Sequence, residues 1–276
     1  MVNEVEWARL PACAIRETAA KPNSLAILPI GSLEQHGPHL PVITDTASAF
    51  AASKRAAELI SDRHPVVVLP GLWLGMSEHH LPFGGTISVD FETLRAVICC
   101  VVRSLVSGGF KRLLIVNGHG GNIDPLAVAV RELAVEFNMP IVSTLPWSLA
   151  ADEIASILES NTGVHHACEG EASLMMAIEP KTVRSDRFEE AFNNQRHPIE
   201  VEAHISRFYS FSERAPVSGT WGDPRRATAE KGEKFLQIHA RELMKIINNP
   251  ILWTTPDHVW GRNRGLGRID GRETGE

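Results

Sequence analysis

The densest run of metal-binding side chain types in this 276-residue chain is Gly31-Ser32-Leu33-Glu34-Gln35-His36-Gly37-Pro38-His39-Leu40-Pro41-Val42-Ile43-Thr44-Asp45. It follows an apolar run over residues 25–30 that reads as a buried strand. Residues two apart on extended backbone share a face, so Glu34 and His36 can aim at one point. Carboxylate and imidazole donors converging at a strand end suit a divalent cation.

Two further stretches carry donors. Asn117-Gly118-His119-Gly120-Gly121-Asn122 lies between an apolar run and a helical pattern. Its glycines permit close backbone approach, and the helix start behind it favours an anion. A phosphate-binding turn is one reading, opposed by the missing lysine and the missing G-x-G-x-x-G spacing. The other reading makes His119 a ligand. His165-His166-Ala167-Cys168-Glu169-Gly170-Glu171-Ala172-Ser173 sets two histidines beside two glutamates at a helix start. Glu34, His36, Asp45, His119 and a glutamate from this last segment are five donors, enough for two cations if Asp45 bridges them. Paired cations ~3.5–4 Å apart activate a hydroxide and polarise a carbonyl. Cys168 offers thiolate attack aided by His166 instead, against the plainer reading of a small filler. His79 and His80, in the loop 71–85, read as surface or hydrogen-bonding histidines.

The elements that must position these stretches follow from pattern. Apolar runs at 25–30, 65–69, 112–116 and 140–145 lack alternation, as strands buried on both faces of a parallel sheet do. Helical patterns separate them: 46–60, a stripe from Leu94 to Leu105 behind Asp90 as N-cap, and 122–137. Segments 148–159 and 169–179 also look helical, 180–220 is irregular, and Thr228 opens a last helix with Phe235, Leu236, Leu243, Ile246 and Ile247 on one side. The expected fold is a single-domain three-layer α/β/α sandwich with a mostly parallel central sheet, over residues 1–250, with a C-terminal tail at 251–276. Ligands of open α/β sheets bind beyond the carboxyl ends of the strands, where every donor-rich stretch falls.

Composition narrows the partners. A net charge of -6 argues against nucleic acid, and the basic run at 261–268 reads as surface. With 43% hydrophobic and 22% charged residues the chain looks like an ordinary soluble protein. The most apolar span, 93–107, is broken by Arg95 and Arg103 and too short for a bilayer, so no membrane partner is expected. Cys13, Cys99, Cys100 and Cys168 show no disulfide framework, Cys99 and Cys100 reading as core thiols, and no signal peptide opens the chain. A cytoplasmic setting is expected.

Several stretches together resemble the creatininase (creatinine amidohydrolase) family: Pro29-Ile-Gly-Ser-Leu-Glu-Gln-His-Gly-Pro-His-Leu-Pro with Thr44-Asp45, Phe83-Gly-Gly-Thr86, the turn 117–122, the segment 166–173, Trp221-Gly-Asp-Pro and Ala227-Thr-Ala-Glu-Lys-Gly232. The resemblance implies an α/β/α fold, a binuclear metal centre and hydrolysis of carbon–nitrogen bonds in cyclic or linear amides. It implies two divalent ions per subunit, zinc first and manganese or iron as alternatives, and a homo-oligomer, often a hexamer. Carried over by motif, Glu34, His36, Asp45 and His119 are ligands, with Asp45 bridging. Creatininase itself has a glutamate where this chain has Gly121; many relatives show His-Ala-Gly-Glu, which assigns the fifth ligand to Glu169. His166 matches the catalytic histidine, and Glu171 a site carboxylate. Ser77 and the amides of Gly120 and Gly121 are expected to orient substrate, and Trp147 matches a site tryptophan. Creatininase carries a tryptophan just before its catalytic histidine; residues 161–165 here hold no aromatic, so the small-molecule amide expected as substrate is one other than creatinine. The mechanism implied is attack of a metal-bridging hydroxide on the carbonyl, with His166 protonating the leaving nitrogen. A catalytically silent metal-binding assembly subunit and creatinine amidohydrolase proper are the alternatives.

Overall fold

The computed structural model describes residues 4–160, 163–193 and 207–255. Four parallel strands form its sheet in the order β2-β1-β3-β4: β1 (Leu25–Ile30), β2 (Val66–Val68), β3 (Arg112–Asn117) and β4 (Ile141–Thr144). All six residues of β1 are buried, which is why its sequence is apolar without alternation. Successive side chains go to opposite faces. Ala26, Leu28 and Ile30 join Leu113 and Ile115 in one core cluster, Leu25 and Ile27 join Leu114 and Val116 in the other.

Helices cover both faces, as the pattern predicts. Following α1 (Ala12–Ala19), the long helices are α2 (Thr44–Ile60), α3 (Phe91–Ser107) and α4 (Ile123–Phe137). Short α5 (Pro146–Leu149) and α6 (Ala151–Ile157) lead to α7 (Glu169–Ile178). Then come α8 (Phe188–Ala191), α9 (Phe211–Arg214) and α10 (Ala229–Asn248). Leu94, Ile98, Val102 and Leu105 of α3 pack with Leu126 and Leu133 of α4 on one face. Ala49, Ala52 and Ala56 of α2 pack with Leu236 and Leu243 of α10 on the other. Asp90 caps α3 by accepting from the Thr93 amide at 2.8 Å, and Thr228 caps α10 from the Lys231 amide at 3.2 Å. The chain stays in the core beyond residue 250: Trp253 is buried and donates its indole N–H to the carbonyl of Ile247 at 3.0 Å. The basic run at 261–268 lies outside the described residues. Of the paired thiols expected in the core, Cys99 is buried but Cys100 is exposed, because the two point about 100° apart around α3. Among the described residues no helix is long and apolar enough to cross a membrane.

From β1 the chain passes to β2 on one side and returns to β3 on the other, so the crevice opens between the ends of β1 and β3. The first turn of α2, with Asp45, is seated there. A Cβ on Gly31 would stand 2.3 Å from the Thr46 amide nitrogen, and one on Gly118 would stand 2.1 Å from the Asp45 carbonyl oxygen. These two glycines let the α2 start sink between the strand ends. Gly118→Ala must push Asp45 out; a loss of about 1–3 kcal/mol in urea unfolding is expected, as for other overpacked cores, together with weaker divalent-metal binding.

Candidate metal centre

The loop after β1 delivers Glu34, His36 and Asp45 to a single buried cluster, and the turn after β3 delivers His119. The start of α7 adds Glu171. Two groups of three share one residue. Glu34, Asp45 and His119 converge in one, His36, Asp45 and Glu171 in the other. Asp45 contributes different oxygens: Oδ2 lies 3.1 Å from His119 Nδ1, and Oδ1 lies 3.0 Å from His36 Nε2. A third group brings His166 to Glu34 and His36.

The imidazoles are oriented from behind. His36 Nδ1 faces the Glu34 carbonyl at 3.1 Å, His119 Nε2 the Met76 carbonyl at 3.0 Å, and His166 Nε2 the Gln35 carbonyl at 2.8 Å. A carbonyl only accepts, so each of these nitrogens carries the hydrogen and the opposite one turns its lone pair into the cluster. His119 Nδ1 meets Glu34 Oε2 at 3.1 Å, and His36 Nε2 meets Glu171 Oε2 at 3.7 Å. Lone pairs facing carboxylate oxygens call for a cation between them. Glu34 Oε1 and Asp45 Oδ2 are buried without a hydrogen-bond partner among the described residues, which fits the same conclusion. The donor set, carboxylate and imidazole without thiolate, suits zinc, manganese or iron.

The charges feel one another strongly. Burial opposes charge on His36, yet Asp45, Glu171 and Glu34 outweigh it and raise the imidazole to about 10. Burial also opposes charge on Glu34, but His119, His80 and His166 hold its carboxyl well below the usual range. Glu171 is pushed up to about 7, by burial first and by neighbouring Asp45 and Glu34 as well. His166 is held well below the ordinary histidine value by burial and by the charges of His36 and His80.

Glu169, the expected fifth ligand, is not in the cluster. Its carboxylate accepts from the Glu159 amide at 3.0 Å, the Ser160 amide at 2.8 Å and the Ser160 hydroxyl at 2.6 Å, and pairs with Lys231. Two residues apart on a helix is about 200° of rotation, so Glu169 and Glu171 cannot face the same point. Glu171 takes the place in the cluster. That angle was available in the sequence. Trp147 is also elsewhere: its ring packs at 5.6 Å on Phe235 and edge-on at 4.3 Å to His239, within the apolar layer beneath α10. Ser77 lies in the site, but its hydroxyl donates to Glu34 Oε2 at 2.7 Å and so braces that carboxylate. Gly120 is exposed at the tip of its turn, while a Cβ on Gly121 would meet His119 Nε2 at 2.4 Å. Cys168 is fully buried and its thiol is pushed up to about 12 by burial and Glu171, so thiolate attack has no support and the small-filler reading stands. His39 sits edge-on to Phe188 at 5.4 Å.

Other residues enter to which the sequence assigns no ligand or catalytic role. His80 is buried with Nε2 3.2 Å from Glu34 Oε1. Gln35, between Glu34 and His36, donates to the Gly219 carbonyl at 3.0 Å and bonds His80 Nδ1 at 2.8 Å. Phe211 of α9 covers His80 at 4.3 Å and His166 at 4.7 Å. Trp221 stacks on His165 at 5.1 Å, and its amide bonds the His166 carbonyl at 2.9 Å. Their segment is distant in sequence and has no periodicity, so only the tertiary fold brings it here.

Comparisons with known proteins show what this chain is similar to. The model of the family described as creatinine amidohydrolase matches residues 9–247. The chain is 34% identical over 233 residues to the mycofactocin precursor peptide peptidase of Mycobacterium ulcerans, covering 83% of this chain and 85% of that one. It is 29% identical over 257 residues to the creatinine amidohydrolase of Pseudomonas putida, covering 86% and 92%. A manganese creatininase structure superposes with a TM-score of 0.73 at 27% identity, over 89% of this chain and 98% of that one, and a Zn–Zn form superposes at 0.72.

The two glutamates of α7 separate in a metal titration. Glu171→Gln is expected to weaken divalent-ion binding beyond the roughly 10–100-fold that a supporting residue costs and to lower the bound stoichiometry. Glu169→Gln is expected to keep the stoichiometry and lower the unfolding midpoint.

Proposed function

The chain belongs to the creatinine amidohydrolase family, and we propose that within it this protein is a two-metal hydrolase of a linear amide other than creatinine. The observation that carries the reading is Asp45, whose two oxygens serve two separate donor groups. Glu34, Asp45 and His119 would hold one divalent ion; His36, Asp45 and Glu171 would hold the other. When bound, such ions supply Lewis acidity toward a carbonyl oxygen and bring the pKa of water to about 7.

The chain's own contribution to the chemistry is His166. Its Nε2 hydrogen is committed to the Gln35 carbonyl, and Nδ1 points into the cluster 3.5 Å from Glu34 Oε1. Its lowered pKa keeps it neutral near pH 7, so Nδ1 is free to accept a proton from water and pass it to the leaving nitrogen. Such transfer is typically worth ~10²–10⁴-fold. Ser77 steadies Glu34, and Phe211 shields the imidazoles from water.

For the substrate, higher identity to the peptide peptidase than to the creatinine amidohydrolase supports a linear, peptide-like amide. Residues 161–165 lack the aromatic that a creatinine site would use. Free cysteines support a reducing, cytoplasmic setting, and exposed Trp73, Leu81 and Ile87 support self-association.

Chelation is expected to abolish turnover on a panel of formamides, lactams and short peptides, and Zn²⁺, Mn²⁺ or Fe²⁺ to restore it. His166→Ala is expected to lower kcat by ~10²–10⁴-fold with metal content retained. Turnover that survives both chelation and His119→Ala would overturn the reading.

A further inference from the structure

Arg214, the last residue of α9, stands on the wall beside the metal cluster. Its guanidinium lies 5.3 Å from the ring centre of Trp221 and 5.5 Å from that of Tyr209. Trp221 is the residue stacked on His165 and bonded to the His166 backbone, and Phe211, one turn earlier on α9, lies against His166 itself. On the cluster side His79 stacks on His119 at 5.6 Å with rings 10° from parallel.

Elsewhere on this surface arginines are paired: Arg184, Arg187, Arg225 and Arg241 each meet a carboxylate. Arg214 meets none among the described residues, and its Nε is buried without a hydrogen-bond partner there. A half-buried guanidinium held against aromatic rings and left with open donors is built to receive an anion from outside the chain. The planar fork of donors matches a carboxylate bidentately. Among peptide-like amides, the carboxylate that every free peptide carries whatever its sequence is the C-terminal one.

We propose that Arg214, set between Tyr209 and Trp221, binds a carboxylate of the substrate, so that the enzyme selects amides with a free carboxylate close to the cleaved bond, as at the C-terminal end of a peptide. The proposal rests on the amidohydrolase reading for its substrate and on the wall geometry for its site.

The test uses the metal-loaded full chain and one set of N-acetyl dipeptides, each as free acid and as C-terminal carboxamide. Equilibrium binding by calorimetry and kcat/KM are measured for the natural chain, Arg214→Met and Arg214→Lys. The natural chain is expected to prefer the free acid by roughly 10–100-fold, in KM more than in kcat, as a charge-assisted bidentate contact would give. That preference is expected to fall toward one in Arg214→Met and to be partly kept in Arg214→Lys. Equal binding of acid and carboxamide by the natural chain, no binding of either, or a preference unchanged in Arg214→Met because the carboxylate goes to the metals, would each overturn it. Should Arg214→Met not fold, the acid-to-carboxamide ratio of the natural chain against Arg214→Lys still decides. Selective binding of the free acid without turnover of any amide would support the carboxylate site while refuting the hydrolase reading.

Discussion

Three carboxylates, Glu34, Asp45 and Glu171, are buried together, and the rest of the structure answers the charge they impose. Isolated buried carboxylates are prohibitively costly unless paired with positive charge. The protein turns imidazole lone pairs toward them, and it fixes that orientation with backbone carbonyls behind His36, His119 and His166. A proton between lone pair and carboxylate is one way to complete the contact, which is why His36 is raised to about 10. A divalent ion is the other, and it would satisfy Glu34 Oε1 and Asp45 Oδ2, which make no hydrogen bond among the described residues.

The fold serves this cluster at a single place. Order β2-β1-β3-β4 opens a crevice where the chain reverses direction across the sheet, and each flanking strand is followed by a glycine, Gly31 and Gly118. The start of α2 enters between them and presents Asp45 at the centre, with further carboxylate and imidazole donors arriving from the β1 loop, the β3 turn and α7. Gln35 then ties this layer to the segment from Phe211 to Trp221 through the Gly219 carbonyl, so the cover over His166 is anchored to the ligand loop itself.

Much of this was legible in the chain. The strands announce themselves as unbroken apolar runs, α3 and α10 by their caps, and the first ligand loop by alternation of Glu34 and His36. Glu169 was not legible in the same way, because a motif position carried over by resemblance does not say which way the residue faces on a helix. Its contacts, the amides of 159 and 160 and the charge of Lys231, depend in part on a helix sixty residues onward. Trp147 was misplaced for a similar reason: an aromatic at the end of β4 can turn to the site or to the core, and the apolar contact with Phe235 decides. Residues such as Phe211 and Arg214 have no local pattern, since a short irregular segment brings them in.

The central claim is that Asp45 bridges two ions, with Glu171 completing the second. Anomalous diffraction from crystals of the metal-loaded protein tests it most directly. The account predicts two peaks per chain ~3.5–4 Å apart, one on either side of Asp45, with Glu34 and His119 at the first and His36 and Glu171 at the second. A single peak, or a peak coordinated by Glu169, would contradict it.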